Sequence, residues 1–272
     1  MTLRPSNHAI SSGGAQPAAE RSVIPNAFAI ASGKGGVGKT WFATTLASAF
    51  ALQGEKVIVF DGDLGLANVD VQLGLNPTHD LSAVLSGRAS LEDAVATVDA
   101  GAGGFDVLAG ASGSGALSSL SQHEVHGVVQ GLKALAGQYD RVLIDLGAGI
   151  EANVLRLAAA AETVLVVITD EPTSLTDAYA FVKVLTTKHG PMDIRAVVNM
   201  VDSPGEGRRV HSALASACRN FLDLDLALAG PIRRDPHVKQ AIRHQVPLLV
   251  RHPQADAGLD VSRIAALLSS RR

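Results

Sequence analysis

The 272-residue chain has a single cysteine, Cys218, a single tryptophan, Trp41, and aromatic residues at only 4%. One cysteine cannot close an internal disulfide. It also excludes Fe–S carriers and reductases that need at least two ligating cysteines per chain, so Cys218 reads as a small core residue. Apolar runs are short, and none approaches the roughly 20 residues that span a bilayer. The opening "MTLRPSNHAISSGGAQPAAERS" lacks the apolar stretch of a secretory signal, so a cytoplasmic protein is expected. Positive charge is not in excess: 23 Lys and Arg stand against 26 Asp and Glu, a formal net charge of −3. That balance argues against direct attraction to DNA or anionic lipid. The nine histidines show no metal spacing, because His237 and His244 share a helical face but offer two ligands at most.

What is present is an alternation of apolar strands and helices. Residues 1–24 are rich in Ser, Gly, Ala and Pro and read as a flexible tail. Beyond them, β-type runs occur at 27–32, 56–60, 105–110, 141–146, 163–169, 194–200 and 226–232. Most are continuously apolar, as in parallel strands covered on both faces. Helical stretches fit between them at 38–53, 120–137, 174–188, 206–221 and 235–244, and "GLDVSRIAALLSSRR" closes the chain as a helix. The pattern predicts an α/β fold with a doubly wound, mostly parallel sheet and helices on both faces, in one domain over 25–272.

Only seven lysines occur in the chain, and two of them, Lys34 and Lys39, fall in "ASGKGGVGKTWF" (31–42). Gly33 to Thr40 fits G-x-x-x-x-G-K-[ST] between a strand and a helix, the setting a phosphate-binding loop requires. Glycines there let the backbone N–H groups of residues 33–40 turn inward on phosphate oxygens, beside the positive end of the next helix. Lys39 is placed for the β- and γ-phosphates and Thr40 for Mg²⁺, so ATP and Mg²⁺ are the expected ligands. "VIVFDGDLGLANVD" (57–70) delivers Asp61 and Asp63 to the carboxyl edge of the sheet, where such folds bind ligands. Of these two, one can orient the attacking water and one can support Mg²⁺. "RVLIDLGAGI" (141–150) delivers Asp145, followed by a glycine-rich loop.

The run "GKGGVGKT" resembles the deviant phosphate loop of the MinD/ParA class of ATPases. In that class the additional lysine, here Lys34, reaches the nucleotide of a facing subunit, which implies an ATP-dependent homodimer. The resemblance assigns catalysis to Lys34, Lys39 and Asp63, and nucleotide binding to Gly33, Lys34, Gly35, Gly36, Val37, Gly38, Lys39 and Thr40. Asn199, Pro231 and Asp235 resemble the class's adenine-contacting positions. Thr40 would ligate the metal, with Asp61 and Asp145 acting through water.

Three stretches, "DGDLGLANVDVQLGL" (61–75), "ITDEPTSLTDAYAFVKVL" (168–185) and "SPGEGRR" (203–209), are similar to the flagellar-number regulators of the FlhG/FleN type. That likeness implies slow, dimer-dependent ATP hydrolysis, action on a flagellar transcription activator, and work alongside an SRP-like GTPase. Two departures are visible. Residues 1–26 lack the D-Q-A-x-x-L-R element with which some relatives stimulate that GTPase. The closing helix carries a Val261, Ile264, Ala265, Leu268 stripe but no aromatic, so docking on its own core is expected over transient membrane binding. The competing readings are a ParA-like DNA- or cargo-partitioning ATPase, with Arg208, Arg209, Arg233, Arg234 and Arg243 as its basic patch, and a nucleotide-gated binding module without hydrolysis. Locally, Ser174 with Asp177 reads as a helix-capping pair.

Overall fold

A computed structural model describes residues 22–110 and 120–270. Most of the expected tail, residues 1–21, lies outside the described residues, as do the last two arginines. The chain enters the sheet with β1 (Ile24–Ser32), three residues ahead of the expected start. Its side chains feed two cores alternately: Ala27, Ala29 and Ala31 on one face, Phe28 and Ile30 on the other. A strand covered on both sides needs apolar residues at every position, which is why the sequence shows no polar alternation there.

After β1 come α1 (Lys39–Leu52), β2 (Val57–Gly62), and the short helices α2 (Val69–Leu73) and α3 (Leu81–Leu85). Strands β3 (Val95–Val98) and β4 (Phe105–Leu108) pair antiparallel. Then follow α4 (Gln122–Ala136), β5 (Arg141–Ala148), α5 (Ala152–Ala160), β6 (Ala161–Ile168), α6 (Pro172–His189), β7 (Asp193–Val201), α7 (Pro204–Leu222) and β8 (Ala227–Arg233). The chain closes with α8 (Pro236–Arg243), α9 (Leu248–Arg251) and α10 (Asp256–Ser269). The eight strands lie in the order β3-β4-β2-β5-β1-β6-β7-β8. Every neighbour pair except β3 with β4 is parallel.

From β1 the chain first builds the β2 side and later returns to build the β6 side. The order therefore reverses beside β1, and the carboxyl ends of β1, β2 and β5 converge where open α/β sheets bind ligands. Helices α4, α5, α6 and α7 cover one face; α1 and α10 lie on the other. α1 is buried along almost its whole length because α10 packs across it.

The closing helix docks as expected. Val261 and Ala265 are fully buried, and Ile264 and Leu268 are buried against the same core. Its far end is tied in as well: Ser269 Oγ donates to Glu55 Oε1 at 2.7 Å and accepts from the buried Arg141 at 3.2 Å. The Arg141 guanidinium also lies over the rings of Phe28 and Phe50.

Two local expectations change. α6 begins at Pro172, whose fixed φ suits the first helical position and whose missing N–H costs nothing there. Ser174 is thus inside the first turn and accepts from Thr169 N at 3.0 Å, so the predicted cap with Asp177 does not form. β3 was not anticipated; it is a four-residue edge strand, half exposed, without the apolar run of the inner strands.

Candidate functional site

The loop from Gly33 to Gly38 leaves β1 and turns straight into α1. Gly36 and Gly38 have φ of 78° and 91°, conformations that favour glycine. A Cβ at Gly33 would sit 2.1 Å from the Asp177 backbone, so only glycine lets the loop rest on α6. At Gly38 a Cβ would sit 2.6 Å from Asn199 Nδ2. The first turn of α1 has no side-chain cap, and its free N–H groups face a cavity of about 1060 Å³. Gly35, Gly36, Gly38, Lys39, Thr40, Asp63, Gly147 and Asn199 are among the lining residues.

Lys39 is buried, with Nζ donating to Ser32 Oγ at 3.0 Å. Burial lowers its pKa, while the charges of Asp145 and Asp63 pull it back up. Asp145 is buried on β5, and burial followed by the nearby Asp61 charge pushes its pKa up to about 8. The Thr40 side chain hydrogen-bonds Asp145, which opposes that rise, but Oδ1 of Asp145 has no partner among the described residues.

Asp61 and Asp63 divide their tasks. Oδ2 of Asp61 accepts from Asn68 N at 2.8 Å and Val69 N at 2.9 Å, and Oδ1 accepts from Asp63 N at 3.2 Å. These bonds anchor the start of α2 on β2. They offset part of the burial that raises the Asp61 pKa to about 6. Asp63 lies in the cavity wall, where Oδ1 accepts from Gly65 N and Leu66 N at 3.3 and 3.1 Å. It also rests near Gly147, 3.2 Å from where a Cβ would be, which joins the loops after β2 and β5.

Buried acidic groups facing one buried ammonium, with a carboxylate oxygen left unpartnered, form a set that a hydrated divalent cation completes. The uncapped helix start supplies the matching anion site. The residues present therefore fit a magnesium-bound phosphate chain. No group of three or more His, Cys, Asp and Glu among the described residues is placed to hold a metal without such a ligand.

Other expected residues are placed differently. Lys34 is not idle within its own subunit: its ammonium bonds the Glu171 carboxylate and, at 3.0 Å, the Thr173 hydroxyl at the start of α6. Lys34, Gly33 and Val37 do not line the cavity. Asn199 does, but its Nδ2 donates to Val37 O at 2.8 Å, so it also props the loop. Asp235 lines the cavity as well, whereas Pro231 lies within β8 against Gly207 and is not part of the wall. Pro231 is therefore set aside as a contact, because its ring faces α7. Met200, Arg234 and Val238 stand on that wall instead. Met200 has a φ of 59°, unusual for its type, and nothing in the sequence announces it. The basic patch weakens too: Arg233 is held by Asp256 and Asp260.

Comparison with known proteins agrees with this geometry. Residues 28–248 match the CobQ/CobB/MinD/ParA nucleotide binding domain. The chain is 39% identical to the antiactivator FleN of Pseudomonas aeruginosa over 89% of this chain and 85% of that protein. It is 32% identical to the flagellum site-determining protein YlxH of Helicobacter pylori, over 89% of this chain and 81% of that one. The septum site-determining protein MinD of Pyrococcus horikoshii, solved with Mg-ADP, superposes with a TM-score of 0.74 at 25% identity, covering 89% of this chain and 95% of that one. The chain belongs to the CobQ/CobB/MinD/ParA nucleotide-binding family, as a FleN-like member of it.

Proposed function

We propose that this chain is a regulatory ATPase that dimerises on ATP and restrains flagellar number. The observation that carries the nucleotide reading is Lys39, buried beside Asp145 and Asp63 at the uncapped start of α1. In this reading the backbone of Gly35, Gly36 and Gly38 cradles the phosphates, and Lys39 holds the β- and γ-phosphates of its own subunit. The Thr40 hydroxyl ligates Mg²⁺, and Asp145 and Asp61 support it through water. The metal supplies charge neutralisation and orientation of the phosphates. Asp63, at the cavity wall, orients the attacking water and accepts its proton. Asn199 and Asp235 face the base side. Lys34 leaves Glu171 and reaches the facing subunit's nucleotide, so hydrolysis is slow and waits for the dimer.

The flagellar role rests on the similarity to FleN and YlxH. With it come a flagellar transcription activator and an SRP-like GTPase as partners. Among the described residues no helix is long and apolar enough to cross a membrane. Membrane contact, where it occurs, is transient, and the protein works in the cytoplasm or at the cell pole. Deleting the gene and counting flagella per cell tests this reading. A rise in number is expected; unchanged flagella with chromosome loss would favour partitioning instead.

A further inference from the structure

One stretch of the cavity wall is built by Arg233, Arg234 and Asp235, from the end of β8 to the residue before α8. That segment is fastened to α10, none of whose residues lines the cavity. The fastening centres on Asp260, a buried carboxylate only 4% exposed. Its Oδ2 accepts from Arg233 N at 3.0 Å and Arg233 Nε at 2.8 Å, and its Oδ1 accepts from Arg233 Nη2 at 2.9 Å. One acid thus fixes both the backbone and the side chain of the residue that opens the wall. A second tie lies one turn away, where Ala257 N donates to Asp235 Oδ2 at 3.2 Å. Between them, Arg234 is held by Val201 O at 2.8 Å from its N and by Met200 O at 3.1 Å from Nη2.

We infer that Asp260 is a positioning residue for nucleobase recognition, holding Arg233, Arg234 and Asp235 where the base is read. The inference rests on the nucleotide reading of the cavity and adds to it a residue outside the cavity. The physical reason is the geometry of a buried charge. A buried carboxylate must keep its donors, and a forked guanidinium meets it in only one orientation. Displacing Arg233 would break its backbone and side-chain bonds to Asp260 together with its pair to Asp256, and Arg234 and Asp235 follow it directly in the chain. The phosphate loop reaches this network indirectly, from Val37 O through Asn199 and Met200 to Arg234, whereas Asp260 and Arg233 stand at its far end, so a change at Asp260 falls on base reading before phosphate binding. Arg263 also bonds Asp260 but is mostly exposed and lies on α10 itself, away from the wall.

The test uses the full chain and three probes: Mg-ATP, Mg-GTP and magnesium pyrophosphate, each competing with a fluorescent ADP analogue. For Asp260→Asn the expected result is a loss of ATP affinity of about tenfold, the equivalent of one charge-assisted hydrogen bond. Pyrophosphate affinity should stay within about twofold, the discrimination of ATP from GTP should shrink, and Arg263→Ala should behave as wild type. Equal losses for ATP and pyrophosphate would show a merely structural role and overturn the inference, as would no loss at all. Should Asp260→Asn fail to fold, Arg233→Lys, which keeps the charge but not the fork, gives the same reading by the same criteria. A wild-type chain that binds pyrophosphate but prefers no base would overturn this inference alone. One that binds none of the probes would overturn the nucleotide reading itself.

Discussion

Lys34 and Glu171 form an ion pair within one subunit, with the Thr173 hydroxyl 3.0 Å from the same ammonium. The pair joins the phosphate loop to the first turn of α6. Lys34 draws the Glu171 carboxyl below its ordinary pKa through their hydrogen bond and charge. Both side chains are exposed, at 37% and 58%, so salt and water screen the attraction. An exposed pair orients Lys34 without trapping it. Glu171→Gln should therefore leave ADP affinity within about twofold and lower the ATP concentration needed for half-maximal dimer formation. Light scattering against ATP concentration checks this; a higher requirement would mean that Glu171 helps the dimer rather than restraining Lys34.

Trp41 gives an optical probe of the same site. It follows Thr40 directly, lines the cavity, is only 6% exposed, and its Nε1 has no hydrogen-bond partner among the described residues. A small void of about 10 Å³ on its other side is shared with Thr44, Gln72 and Leu248. Nucleotide arriving at Thr40 must change the field around this indole. As the only tryptophan, it should shift its emission between nucleotide-free, ADP and ATP states. Identical spectra in all three would show that the cavity does not take nucleotide at the start of α1.

The phosphate loop was legible because glycine spacing and a lysine fix a backbone shape almost by themselves. The parallel strands were legible because burial on both faces demands uninterrupted apolar runs. Short elements were not: α2 is held by hydrogen bonds to Asp61, and β3 by pairing with β4, neither of which is a local signal. Glu171 was invisible as a partner because it lies 137 residues from Lys34. Pro231 looked like part of the site because it falls in one run with Arg233, Arg234 and Asp235, which line the cavity, but its ring packs against Gly207 of α7, a contact 24 residues away that the local sequence does not announce.

Acid groups without their ligand should make the protein sensitive to pH. Burial raises Asp61 to about 6 and Asp145 to about 8, above the value of 3.8 they have when exposed. A raised carboxyl pKa contributes stability that is full below the unfolded value and is lost as pH climbs through the folded value. The nucleotide-free protein should therefore lose stability between about pH 4 and pH 8, with the Asp145 part lost last. Asp145→Asn should flatten the upper part of this slope and raise the nucleotide-free Tm by on the order of 5 °C, while weakening Mg-ATP binding. Thermal melts from pH 5 to 8.5 read both; a steeper slope in Asp145→Asn would refute the assignment.

The closing helix should behave as core. Ile264 is 2% exposed and packs on Gly230 of β8, where a Cβ would lie 2.7 Å from Ile264 Cγ1. Ile264→Ala should cost about 2–5 kcal/mol in urea unfolding, as for other large-to-small changes in a packed interior. Flotation with anionic vesicles should show the wild-type helix staying docked in the ADP state. Robust vesicle binding in ADP, with little loss of stability in Ile264→Ala, would instead make α10 a membrane anchor.

The last prediction separates the two lysines of the loop. Lys39 is buried and bonded to Ser32 beside Asp145, so Lys39→Ala should abolish nucleotide affinity itself. Lys34 points away from the cavity, toward Glu171, so Lys34→Ala should bind ADP nearly as well as wild type. It should nonetheless fail to dimerise and lose turnover by about 10³–10⁵-fold, the scale of charges supplied in trans to phosphoryl transfer. Mixing decides where Lys34 acts. In a heterodimer of Lys34→Ala with Asp63→Ala, the Lys34→Ala subunit keeps its own Asp63 and receives an intact Lys34 from its partner. That single site is complete, so hydrolysis should return although each variant alone is inactive. The other site lacks both groups and stays silent, which limits recovery to about half of the wild-type rate per dimer. If Lys34 acted in cis, neither site would be complete. No recovery in a mixture shown to contain heterodimers would then place Lys34 beside its own subunit's phosphates and end the trans model.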